Sequence, residues 1–182
     1  MHDDADRWNA RYQGRSTGEP SMPKGLGGIE LARGGRCLDV ACGLGEQSIW
    51  AARQGFEVVS IDTSDVAITA LNSAAMTAGV RDRIDSRVVD LDGGLPTELT
   101  SSFSLVICQR FRDPSLYEQL VYALEPDGVL VVTVLSQVGL DDAPGPFHAP
   151  PGDLVCAFRS FDVDVLRSVE LDGEATLVAR RR

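Results

Sequence analysis

From Arg36 to Leu135 short apolar runs alternate with stretches of helical periodicity. The apolar runs predict strands over 36–41, 57–62, 84–89, 103–109 and 128–135. The recurrence of apolar positions every three to four residues predicts helices over 45–54, 64–78 and 115–125. Between the third and fourth strands the pattern supports only a short or irregular crossover near 93–100. Ser64 or Thr63 can cap the second helix, and Pro126-Asp127-Gly128 stops the third before the next strand. Such repetition implies parallel strands joined by right-handed crossovers.

Both flanks break this rhythm. Residues Asp4 to Tyr12 read as a short helix with Trp8 and Tyr12 on one strip and Arg7 and Arg11 on the next. Arg15 to Gly28 is rich in Gly, Pro and Ser and reads as a loop, followed by a short helix over Leu26 to Ala32. After the fifth strand come a Gly-, Pro- and Asp-laden loop, Ser136 to Gly152, and a short helix, Pro151 to Phe158. The β-like runs Phe161 to Leu171 and Glu174 to Arg180 flank Asp172-Gly173, a strong hairpin signal. Two antiparallel strands therefore end an otherwise parallel sheet.

Composition narrows the partners. With 182 residues, 43% of them hydrophobic, the chain reads as one domain with a sizeable core. A formal charge of −10 makes a polyanion such as DNA or RNA an unfavoured partner. No run of about 18 apolar residues could span a membrane, and His2-Asp3-Asp4 is the opposite of a secretory leader, so a soluble, cytoplasmic protein is expected. Cys37, Cys42, Cys108 and Cys156 lack C-x-x-C spacing and read as reduced thiols, with no metal site. Lys24 is the only lysine, so a mechanism that needs one must use it.

The chemistry gathers where the first strand ends. In Leu38-Asp39-Val40-Ala41-Cys42-Gly43-Leu44-Gly45-Glu46 the small residues Ala41, Gly43 and Gly45 let a ligand lie against the main chain at the start of a helix. Asp39, inside the strand's end, reads as a brace that accepts hydrogen bonds from the turn. Ligands of open α/β sheets bind outside the carboxyl ends of the strands. Asp62 closes the second strand and can meet two ribose hydroxyls; Asp90 closes the third and can accept from an adenine amino group. Either aspartate alone could merely cap the next helix. The pair beside a glycine turn reads as a nucleoside site.

The motifs L-D-V-A-C-G-L-G-E at 38–46, S-I-D-T-S around Asp62, V-V-D-L around Asp90 and E-P-D-G-V-L-V-V-T at 125–133 resemble those of class I S-adenosylmethionine-dependent methyltransferases. Small bacterial members of the tellurite-resistance-protein-like and methyltransferase-domain type are most alike, and their W-N-A-R-Y-like start matches Trp8 to Tyr12. The resemblance covers nearly the whole chain and is specific through residue 135. It implies a Rossmann-like α/β fold: a seven-stranded methyltransferase sheet, mostly parallel with an antiparallel C-terminal hairpin, and helices on both faces. It divides the single domain, 1–182, into an N-terminal helical cap (1–34), a cofactor-binding core (35–135), an acceptor-side loop and short helix (136–160) and a C-terminal hairpin (161–182).

For S-adenosylmethionine the resemblance implies that Ala41, Gly43 and Gly45 bound the methionine and ribose, with Asp39 behind them. Asp62 would hold the ribose hydroxyls, and Asp90 with the Leu91 N–H would hold adenine. The carbonyls near Ala41 and Cys108 would receive the amino group, and Arg7 or Arg11 the carboxylate if the first helix folds over the cofactor. Two departures bear on the acceptor. Gln109-Arg110-Phe111-Arg112-Asp113-Pro114 stands where relatives often place a histidine, and no N/D-P-P-Y/F tetrapeptide follows the fourth strand, which counts against amino groups of nucleobases or amides. His148, in the 136–152 loop, is the candidate replacement base; Arg112, with Arg110, is the candidate for an anionic acceptor.

Three readings follow. The first is a methyltransferase acting by in-line displacement on a small molecule, with acceptor and oligomeric state left open. The second is a non-catalytic S-adenosylmethionine-binding or partner-binding protein. The third, an NAD(P)-dependent oxidoreductase, lacks its third glycine because Ser48 stands there, and has no Y-x-x-x-K pair.

Overall fold

The computed structural model of the chain describes residues 2–140 and 143–182; Met1 and positions 141–142 of the expected acceptor-side loop lie outside the described residues. Seven strands form one sheet: β1 (Arg36–Val40), β2 (Glu57–Asp62), β3 (Ile84–Val88), β4 (Phe103–Gln109), β5 (Leu124–Leu135), β6 (Val163–Leu171) and β7 (Glu174–Arg181). Their order is β3-β2-β1-β4-β5-β7-β6. β1 to β5 are parallel, and β7 runs antiparallel to both β5 and β6. This is the mostly parallel sheet with the antiparallel hairpin that the sequence pattern predicts, in the Rossmann-like seven-stranded form that the resemblance implies. Its order reverses between β1 and β4, so their carboxyl ends open a crevice at the switch point.

Both faces of the central strands are apolar because both are covered. On one face α2 (Glu46–Arg53) and α3 (Asp65–Thr77) set Ile49, Ala51, Ile68 and Leu71 against Cys37, Val58, Leu105 and Val131. On the other, α4 (Tyr117–Ala123) and α5 (Asp153–Phe158) set Tyr117, Leu120, Leu154 and Phe158 against Leu38, Val106, Cys108 and Val132. Ser64 caps α3, its hydroxyl accepting from the Ala67 N–H at 3.1 Å, a contact of about 1 kcal/mol. The remaining helix, α1 (His2–Tyr12), lies against α3. No helix among the described residues is long and apolar enough to cross a membrane.

Three local expectations change. No helix forms over 26–32: Gly25 and Gly28 adopt positive φ, and Leu26 is pressed into the core beside Val178. A methyl group on Gly25 would meet Thr176 Cγ2 at 2.8 Å, and the Gly25 and Gly27 carbonyls accept from Arg167 instead of from a helical turn. The third predicted helix shortens to α4, after a 3-10 turn over Pro114–Leu116. Strand β5 begins early, because Leu124 already pairs with Phe103; a register shift follows, and Asp127 takes φ 64°.

Candidate active site at the switch point

The turn after β1 is built on left-handed backbone. Ala41, Gly43 and Gly45 take φ of 53°, 53° and 86°. The Cys42 N–H extends the pairing by donating to the Ile61 carbonyl at 3.0 Å, and the Gly45 carbonyl accepts the first bond of α2, from Ile49 at 3.0 Å. The two glycines serve different ends. A methyl group on Gly45 would come within 2.2 Å of Leu71 Cδ1, so this glycine lets the turn dock on α3. A methyl group on Gly43 would point at the Tyr12 hydroxyl, 3.0 Å away.

Asp39 and Asp62 lie behind and beside this turn, 2% and 5% exposed. Asp39 accepts from the Ser48 hydroxyl at 2.5 Å, and Ser48 accepts from Ser60 at 2.8 Å. The brace is therefore a relay from β2 through α2 to β1, helped by the Ser48 main-chain N–H, while the N–H groups of Cys42, Gly43 and Gly45 go elsewhere. Burial pushes the Asp39 carboxyl up to about 7 against the pull of the Ser48 bond, with Asp62 and Glu46 adding repulsion. Asp62 accepts from the Gly43 N–H at 2.8 Å and from the Ser64 N–H at 2.9 Å, one bond to each oxygen. Its pKa is also raised by burial, opposed by the N–H groups of Ser64, Gly43 and Thr63. Each carboxylate oxygen keeps a second lone-pair site, so Asp62 can still receive two hydroxyls. Asp90, at the carboxyl end of β3, is exposed and accepts from the Asp92 N–H through Oδ1 at 3.0 Å, with buried Leu91 beside it. The spacing of small residues and carboxylates thus fits a nucleoside with a hydroxylated ribose.

Helix α1 roofs this crevice. Asn9 Oδ1 accepts from the Ser64 hydroxyl at 2.6 Å, tying α1 to the cap of α3. Tyr12 lies over Gly43, and burial followed by the charges of Asp62 and Cys42 pushes its phenol up to about 12. Trp8 stacks on Tyr12 with ring centroids 5.7 Å apart. Arg7 pairs with Asp4 and lies over both Trp8 and Phe147, and Arg11 lies over Trp8. The first helix therefore reaches from the glycine turn to the loop that carries His148.

On the acceptor side the candidates are drawn together less tightly. Cys108 is buried at the end of β4, and its thiol is pushed up to about 12 by burial, with Asp39 and Asp113 adding to it. The Cys108 carbonyl has Gln109 Nε2 at 3.5 Å. Arg112 donates to Asp153 Oδ2 from two nitrogens, at 3.2 and 3.0 Å, joining the β4–α4 connection to α5. Arg110 points away, to Glu174, which Lys24 also reaches. His148 Nδ1 faces the main chain of its own turn, 3.0 Å from the Gly145 nitrogen and 3.2 Å from the Gly145 oxygen. Among the described residues no group of three or more His, Cys, Asp or Glu is placed to hold a metal ion.

Ser48, Asn9 and Asp153 join this site without a sequence signal of their own, whereas Tyr12 is marked by its helical spacing from Trp8. The W-N-A-R-Y-like start also covers Asn9.

Residues 37–128, half of the chain, match the family described as "Methyltransferase domain". The chain is 33% identical over 123 residues to the ribosomal RNA small subunit methyltransferase C of Alcanivorax borkumensis, covering 62% of this chain and 36% of that protein. It is 27% identical over 82 residues to the thiopurine S-methyltransferase of Gluconobacter oxydans, covering 41% of this chain and 37% of that one. It thus spans little more than a third of the curated relatives it matches. In structure it is similar to geranyl diphosphate C-methyltransferase of Streptomyces coelicolor A3(2), solved with Mg2+, geranyl diphosphate and S-adenosyl-L-homocysteine, with a TM-score of 0.73 and 15% identity over 100% of this chain and 98% of that one. With the family matched across the glycine turn, Asp62 and Asp90, the chain belongs to the methyltransferase-domain family of class I S-adenosylmethionine-dependent methyltransferases.

Proposed function

We propose that the chain transfers a methyl group from S-adenosylmethionine to a small-molecule acceptor. The observation that carries this reading is the bracing of Asp62 by the Gly43 and Ser64 N–H groups, which fixes a carboxylate beside a left-handed turn of small residues. The cofactor, when bound, supplies a methyl group on a sulfonium. Asp62 receives the ribose hydroxyls, Asp90 and Leu91 hold the adenine edge, and Ala41 and Gly43 allow close approach of the remainder. The protein's task in an in-line displacement is alignment and exclusion of water. Helix α1, laid over Gly43 by Tyr12, serves the second of these. An acceptor that is already nucleophilic needs no base.

The ribosomal RNA relative keeps an RNA acceptor in view. Against it stand the charge of −10 and the sequence Gln109-Arg110-Phe111-Arg112 in place of an N/D-P-P-Y/F tetrapeptide. Incubation with methyl-labelled S-adenosylmethionine and, separately, a small-molecule panel and total ribosomal RNA tests the assignment. Label in a small molecule supports it. Label in RNA alone, or S-adenosylmethionine bound but never consumed, contradicts it.

A further inference from the structure

Tyr117 heads α4 and is 1% exposed, yet among the described residues its hydroxyl has no hydrogen-bond partner. Leaving such a group unpaired costs about 1–3 kcal/mol, and a phenylalanine would fill the same space without that cost. The ring is firmly held, 5.0 Å from Phe158, which itself meets Phe161 edge-on at 5.4 Å. Tyr117 shares its cluster with Cys108, Ala149 and Leu154, and Ala41 and Phe111 pack against that cluster. At the start of α4 and against Phe158 of α5, the ring sits between the β4–α4 connection and α5.

The only ion pair joining the β4–α4 connection to α5 among the described residues is Arg112 with Asp153, half-buried on both sides. Among charged neighbours Arg112 acts on the Tyr117 phenol most strongly, opposing the rise that burial imposes. Helix α5 is six residues long, opens at Gly152 with φ 74°, and is held at this end by Asp153, by the Gly152 N–H donating to Glu170 and by buried Leu154. A carboxylate of the protein thus occupies a planar donor fork next to an unused hydroxyl donor and aromatic side chains.

Resting on the methyltransferase reading above, we propose that Arg112 and Tyr117 recognise the acceptor, and that the acceptor is a carboxylate or phosphate attached to an apolar, aromatic-compatible body. Asp153 stands in for that anion in the free protein. When the acceptor enters, its oxygens take the Arg112 fork and the Tyr117 hydroxyl, and the half-buried Asp153 side chain turns aside while Leu154 keeps α5 in place. Guanidinium and carboxylate or phosphate match in two parallel bonds, so neutral analogues forfeit the main contact.

Calorimetry on the full chain, with and without S-adenosylhomocysteine, tests this with benzoate, phenyl phosphate and benzamide as probes. At least one anion should bind about tenfold or more tighter than benzamide, and which one binds separates a carboxylate acceptor from a phosphate. Arg112→Gln and Tyr117→Phe should each weaken that binding by about tenfold or more, and Asp153→Asn should tighten it, with S-adenosylhomocysteine affinity unchanged. Ligand-free Tyr117→Phe should also melt at a higher temperature than wild type. The proposal is overturned if neither anion binds in the millimolar range, if benzamide binds equally well, if both variants bind as wild type does, or if Tyr117→Phe melts lower. Failure of the wild type to bind S-adenosylhomocysteine would instead contradict the methyltransferase reading, and the titrations without it still decide the anion question.

Discussion

Asp39 and Asp62 stand on neighbouring strands at the same crevice, but their partners give them different work. Asp62 is held by main-chain N–H groups and keeps lone pairs for a ligand, whereas Asp39 is closed off by Ser48 and Ser60. The cost of burial falls on Asp39, whose carboxyl rises from 3.8 to about 7 on folding. The native protein holds that proton over a window in which the unfolded chain has released it. Its stabilising effect is therefore complete below about pH 3.8 and is lost as pH rises through about 7. Asp39→Asn keeps an oxygen for Ser48 and removes the charge. Its stability relative to wild type should rise by about 1 kcal/mol or more between about pH 4 and pH 8, read from thermal or urea unfolding at each pH; a difference independent of pH would contradict the assignment. The sequence marked Asp62 because it closes an apolar run, and Asp39 because it lies inside one beside the glycine turn. It did not reveal Ser48 as partner, since that depends on how α2 turns on the sheet. Nor did it separate Tyr117 from an ordinary core aromatic, because a hydroxyl without a partner is a tertiary fact.

At the scale of elements, the strands and the helices that follow them were legible because apolar periodicity and turn residues agreed from Arg36 to Leu135. The stretch over 26–32 was not, because its apolar spacing suits a helix while Gly25 and Gly28 admit the positive φ that lets the chain lie against β7. The loop after β1 illustrates the same conflict resolved the other way, with Gly45 needed both for its left-handed backbone and for its contact with Leu71 on α3. Gly79, just beyond α3, has φ 68° and open space around it. Gly79→Ala should therefore cost only the left-handed penalty, about 1–2 kcal/mol. Gly45→Ala should cost that plus overpacking of about 1–3 kcal/mol, and should weaken S-adenosylmethionine binding as the turn shifts. Urea unfolding of the two variants side by side decides it, and equal losses would show that α3 does not constrain the turn.

Over the whole molecule, strand order places the ends of β1, β2 and β4 at one edge and brings α1, from the far N-terminus, across them. The sequence carried the sheet and its hairpin, but the roof depended on Asn9 finding Ser64 and Tyr12 finding Gly43, contacts 55 and 31 residues apart along the chain. The carboxylates of the crevice suit a ligand rich in hydroxyl and amino donors. The central claim is that Asp62 holds the ribose of S-adenosylmethionine. Calorimetric titration of the wild type and Asp62→Ala with S-adenosylmethionine, with NAD as the control, tests it most directly. The account predicts binding of S-adenosylmethionine but not NAD, and a loss of about tenfold or more in the folded variant, since a hydrogen bond to a charged group contributes about 1.5–3 kcal/mol. Unchanged affinity in a folded Asp62→Ala protein, or binding of NAD in preference to S-adenosylmethionine, would contradict it.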